Sequence, residues 1–99
     1  MNVLKPYRDR IDALDDQIVP LLVQRLAVIR EVAALKSREG IPAVLEDRVR
    51  QVIDRAASAA GGDDTEMVRE LYTLLVTICC DLEERIMTAE PAPQKLRSV

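Results

Sequence analysis

The chain has 99 residues, 48% of them apolar, and its two aromatic residues are both Tyr, so one small domain with a helical core is favoured over a sheet. A net charge of −3 and a pI near 4.9, without a basic stripe interleaved with aromatic residues, argue against nucleic acid as a partner. No run approaches the ~18 apolar residues of a membrane span and the N-terminus has no apolar leader core, so a cytoplasmic protein without a membrane partner is expected.

The first predicted element is a long helix from about Leu4 to Arg38. Leu4, Ile11, Ile18 and Val32 repeat at one position of a heptad, and Tyr7, Leu14, Leu21, Val28 and Leu35 at the other. That is the seam of a helix packed lengthwise against other helices. Arg25 occupies a seam position where the pattern asks for an apolar residue. A guanidinium there needs an anionic partner or forfeits several kcal/mol of hydration, which makes it a candidate ligand contact. The alternatives are a pair with an acid on a neighbouring helix, or a packed stem with the head in water.

Lys36, eleven residues on, returns to within about 20° of the same direction and lies about 16 Å along the axis. Arg25 and Lys36 therefore face one groove. Arg8 is seventeen residues earlier, some ~25 Å away and ~100° round the helix. It serves the same small ligand only if it comes from a second copy of the chain. A helix of about 35 residues, near 52 Å long, also exceeds the diameter of a monomeric domain of this size. An intertwined homodimer buries such a seam. Pro6 suits a first helical turn, while Pro20 removes one backbone hydrogen bond in mid-helix. Because the heptad continues across Pro20 without a slip, one bent helix is expected, with two helices meeting there as the alternative.

Gly40 followed by Pro42 is a helix stop. A second helix is expected from about Leu45 to Ala59, with Leu45, Val49, Val52, Ile53 and Ala56 on one side. Gly61 and Gly62 end it. Asp63 with Glu66 reads as a capping-box-like start for a third helix, from about Thr65 to Thr88. That helix is apolar on two faces. Val68, Leu71, Leu75, Ile78 and Leu82 form one, and Tyr72, Val76, Cys79 and Ile86 the other, with Glu83 in line on the second. Glu83 either belongs to a site, reaches solvent, or pairs with Arg85 or Arg48. From Ala89 the chain reads as a disordered tail, so residues 1–88 form the helical domain and 89–99 the tail. Cys79 and Cys80 diverge by about 100° on a helix, which disfavours a disulfide between them. With no His in the chain, no metal ligand set is apparent and no cofactor is expected.

Arg8, Arg25, Lys36, Arg48 and Glu83 thus stand in apolar or ligand-facing settings. Four cations and one acid suit a small molecule with two carboxylates. No nucleophile–base pair and no phosphate-cradling glycine loop accompanies them. An enzyme built this way works by holding and stabilising.

Five segments, Arg8-Asp-Arg-Ile-Asp-Ala-Leu-Asp-Asp16, Gln24-Arg25, Lys36-Ser-Arg-Glu-Gly-Ile-Pro42, Arg48-Val-Arg-Gln-Val-Ile53 and Asp81-Leu-Glu-Glu84, resemble the all-helical chorismate mutase family. The resemblance covers residues 4 to about 88. It implies a dimer of three-helix chains with two active sites, each completed by an arginine from the partner, a role that falls on Arg8. Arg25 matches the carboxylate-binding arginine, Lys36 the lysine near the ether oxygen, and Arg48 the arginine of the second helix. Glu83 falls where the family carries Gln or Glu donating to the same oxygen, a role only a protonated carboxyl fills. Cys79 falls where some members have a small polar residue near a carboxylate. The reaction implied is the Claisen rearrangement of chorismate to prephenate.

Many family members carry an Asp and a Glu on the second helix that contact the substrate's 4-hydroxyl. This chain has Leu45 and Val49 there. The Lys36–Pro42 and Arg48-Val49 segments are also similar to the 4-amino-4-deoxychorismate mutases of antibiotic pathways, and in part to isochorismate pyruvate lyases of the same fold. Chorismate mutase is thus the first expectation, then the amino-substrate mutase, then the lyase. A non-catalytic dimerisation module with a buried Arg25–Glu83 ion pair is the last.

Overall fold

The computed structural model describes residues 2–89. Three helices follow one another, α1 (Lys5–Glu39), α2 (Glu46–Ala60) and α3 (Thr65–Ala89), and the described residues contain no strand. The fold is all-α, and every helix boundary falls within one residue of its expected place. Ala89, expected to begin the tail, is the last residue of α3; the remainder of that expected tail lies outside the described residues.

α1 runs unbroken through Pro20, so the two-helix alternative falls. It ends on Gly40, whose φ of 68° is left-handed. The amides of Gly40 and Ile41 both bond the Lys36 carbonyl, the latter at 2.9 Å. This closure uses a conformation that costs glycine nothing and, with Pro42 behind it, turns the chain back toward α2. Glu46 and Asp47 open α2 in its first turn, where the positive end of the helix dipole favours them.

The expected capping box is corrected. A 3₁₀ turn, Gly62–Asp64, precedes α3 and carries no side-chain cap. Gly61 and Gly62, with φ of 70° and 54°, let the backbone wind tightly enough to start the helix from main-chain bonds alone.

α3 packs against both other helices. Of its two apolar faces, the one bearing Val76, Cys79 and Glu83 is buried. The two residues with no exposure at all, Ala33 and Ala57, are small, so the helices close on methyl groups rather than on large side chains. Leu71 and Ile78 of the other apolar face of α3, and the N-terminal half of α1, lie open: Leu14 is 58% exposed and Leu71 66%. The radius of gyration is 18.1 Å, against about 13 Å for a compact domain of this length. One chain therefore leaves its heptad seam uncovered. No described helix is long and apolar enough to cross a membrane.

Candidate active site

A cavity of about 410 Å³ opens between the three helices and the loop joining α1 to α2. Arg25, Val32 and Lys36 reach it from α1, Leu45, Arg48 and Val49 from the start of α2, and Cys79 and Glu83 from α3. The helical arithmetic that put Arg25 and Lys36 on one groove is met in three dimensions.

Lys36 is held hard. Its Nζ donates to Glu83 Oε1 at 2.7 Å and to the Ala43 carbonyl at 2.8 Å. The two side chains are only 13% and 7% exposed, so the bond is charge-assisted and shielded from water. An ammonium has three N–H donors, which leaves one to face the cavity. Glu83 thus pairs with neither Arg85 nor Arg48, and it does not reach solvent.

Arg25 is held softly. Its Nη1 donates to Cys79 Sγ at 3.2 Å, a weak acceptor. Among the described residues it makes no salt bridge. A half-buried guanidinium with most of its donors free is prepared for an anion. The acidic partner that the first alternative for Arg25 required is absent among the described residues, and so is the Arg25–Glu83 pair of the dimerisation-module reading: Glu83 belongs to Lys36.

Arg48 lines the cavity from the exposed side of α2, its Nη1 resting on Gln51 Oε1 at 2.7 Å. Three cations therefore face one carboxyl, an excess of two positive charges with Glu83 ionised. Leu45 and Val49 form the wall on the α2 side. Both thiols are free. Burial first, and then the charge of Glu83, push the Cys80 thiol above its ordinary value, with Lys36 opposing, so Cys80 is a neutral thiol rather than a nucleophile.

Arg8 is not part of this lining. It is exposed on the open end of α1, about 25 Å along the axis from Arg25, and a single chain does not bring the two together. The Ala43 carbonyl and Cys80 were not anticipated. Cys80 follows Cys79 on the same helix and was within reach of a helical-wheel argument. A main-chain acceptor leaves no trace in residue identity.

The fold and cavity define the all-helical mutase class, and the chain belongs to the chorismate mutase family: the pattern described as chorismate mutase type II matches residues 7–84. Its members carry isomerase-type mutase activity. Among curated relatives, the chain is 34% identical over 91 residues to a 4-amino-4-deoxychorismate mutase of Streptomyces venezuelae, covering 90% of this chain and 88% of that one. It is 29% identical over 92 residues to the protein of the same name from Streptomyces pristinaespiralis, covering 91% and 71%. It is 25% identical over 99 residues to a bifunctional chorismate mutase/prephenate dehydratase of Aquifex aeolicus, of which it spans 27%. No solved structure gives a significant match.

Proposed function

We propose that the protein rearranges a chorismate-type dicarboxylate, and that 4-amino-4-deoxychorismate is its substrate. The observation that carries the choice is the apolar wall of Leu45 and Val49 on the α2 side of the cavity. Selection for a hydroxyl depends on buried groups that pair with it. With Leu and Val in those places, the cavity has lost its reason to prefer chorismate over the amino analogue. Leu45 is 42% exposed, so an amine on that edge keeps water. The two Streptomyces relatives, matched over most of their length, support the same reading. Chorismate is the second reading, favoured by the Aquifex relative.

The reaction is unimolecular: one ether C–O bond breaks, one C–C bond forms, and nothing is transferred to the protein. The protein contributes by holding the compact conformer and stabilising negative charge that grows on the ether oxygen. Arg25 fixes one carboxylate, and Arg8 of the partner subunit fixes the other. Lys36, with its remaining N–H, faces the ether oxygen beside Glu83, whose carboxyl supplies a second donor only in its protonated form. Val32, Val49 and Val76 pack the ring. The uncovered seam of α1 is the surface on which the second copy lies, and the twofold arrangement returns each Arg8 to the other's cavity.

One assay decides. The purified protein is incubated in turn with 4-amino-4-deoxychorismate, chorismate and isochorismate. Faster rearrangement of the amino compound supports the first reading and faster prephenate formation the second. Pyruvate release from isochorismate marks a lyase, and silence with all three marks a dimerisation module.

A further inference from the structure

The main cavity adjoins a second groove along α2 that carries one arginine the proposed chemistry does not use, Arg55. This groove, about 370 Å³, is lined by Arg25, Arg48, Val52, Arg55, Ala56 and Tyr72 among others. Arg25, Arg48 and Val52 border both spaces, so the two adjoin across these side chains. On α2 the lining residues follow Arg48 at spacings of four, seven and eight, a single helical face. Arg48 and Arg55 lie about 10 Å apart along the axis and within about 20° of one direction.

No carboxylate lines the groove. The acids that could have neutralised it are engaged elsewhere: Asp54 and Glu66 with Arg69, Asp47 with Arg50. Arg48 rests on the neutral Gln51. Among the described residues, none of Arg25, Arg48 and Arg55 makes a salt bridge. Three uncompensated guanidinium groups in one groove of a chain whose net charge is −3 concentrate a positive potential in one place. Arg8, Arg25, Lys36, Arg48 and Glu83 were legible as a site from sequence, but Arg55 was not among them.

We propose that Arg55, with Arg48 and Arg25, forms a carboxylate-binding station at the mouth of the cavity, which captures the dianionic substrate before it settles against Lys36. The station rests on the mutase reading for the identity of its anion, but its charge arrangement does not. Arg55 is exposed and, among the described residues, makes no salt bridge, so its replacement is expected to leave the fold intact, which a circular dichroism melt verifies.

The test compares wild type, Arg55→Gln and Arg55→Lys. KM and kcat are measured at low and high salt, and calorimetry follows binding of isophthalate, a ring dicarboxylate that does not react. Arg55→Gln is expected to raise KM about 3- to 10-fold at low salt, with the loss in KM rather than in kcat, and to weaken isophthalate by a similar factor. Arg55→Lys restores most of both, and the difference fades at high salt. Equal KM and equal isophthalate affinity in wild type and Arg55→Gln overturn the station, as does a loss confined to kcat. A wild type that turns over none of the substrates yet binds isophthalate in an Arg55-dependent way overturns the mutase reading and leaves the station standing.

Discussion

Replacing Glu83 by Gln separates its observed role, partner to Lys36, from its proposed one, donor to the ether oxygen. The carboxylate accepts from Lys36 Nζ at 2.7 Å with both side chains nearly buried. Removing one member of a buried ion pair outright costs about 3–5 kcal/mol. Gln keeps an acceptor oxygen in the same place, and Lys36 keeps the Ala43 carbonyl, so the loss reduces to the difference between a charged and a neutral acceptor, about 1–2 kcal/mol. At roughly 4–8 °C per kcal/mol for a domain this small, the unfolding midpoint falls by about 5–15 °C at fixed protein concentration. Catalysis changes differently. The Gln amide both accepts from Lys36 and can donate to the ether oxygen, so Glu83→Gln keeps most of kcat/KM, whereas Glu83→Ala removes both contacts and lowers it about 100- to 1000-fold. Initial rates of wild type and both variants on the preferred substrate, with parallel thermal melts, make the measurement. Equal losses of kcat/KM in Glu83→Gln and Glu83→Ala refute the argument, because a donor at this position would then contribute nothing.

Three further outcomes are expected. Leu45→Asp with Val49→Glu restores polar groups to the α2 wall and shifts the ratio of kcat/KM toward chorismate by about 10- to 200-fold, measured by competing the two substrates. Cys80, whose pKa is raised by burial and by Glu83, reacts with a maleimide more slowly than a free thiol at neutral pH. Because its folded value lies above its unfolded one, its contribution to stability is present below the unfolded value and is lost as pH climbs through the folded one, which melts at alkaline pH detect. Mixing Arg8→Ala with Arg25→Ala, each inactive alone, regenerates intact sites in mixed dimers. Random pairing gives about a quarter of the wild-type sites, and no recovery on mixing refutes the shared site.

Helix periodicity carried most of what could be read beforehand. Arg25 and Lys36 share a cavity because eleven residues return a helix almost to its starting direction, and that holds whatever surrounds them. Glu83 was harder. Its place on an apolar stripe was legible, but its partner was not, since the competing cations lie on three different helices and only packing ranks them. The Ala43 carbonyl was out of reach because every residue has one. The capping box failed because two glycines in succession open a tighter turn that a side-chain argument does not price. The apolar seam of α1 was plain in the sequence, but its cover lies outside one chain.

The contrast between the two cations suits the unimolecular rearrangement proposed above. Lys36 is fixed by two bonds within a shielded cluster, so its direction is set before any ligand arrives. Preorganisation of that kind is where electrostatic catalysis gains most, because no dipole must turn as charge develops. Arg25 has only a thiol to lean on and the Arg48 guanidinium only a neutral amide, so both can yield to an incoming carboxylate without abandoning a strong partner. Had Arg25 been paired with Glu83, binding would first have had to break a buried ion pair, and the affinity available from the ligand's carboxylate would have been spent on that exchange. By giving the acid to the lysine and leaving the arginine nearly free, the helices separate a cation fixed in advance from one left available to an anion, the division of labour that the proposed mechanism requires.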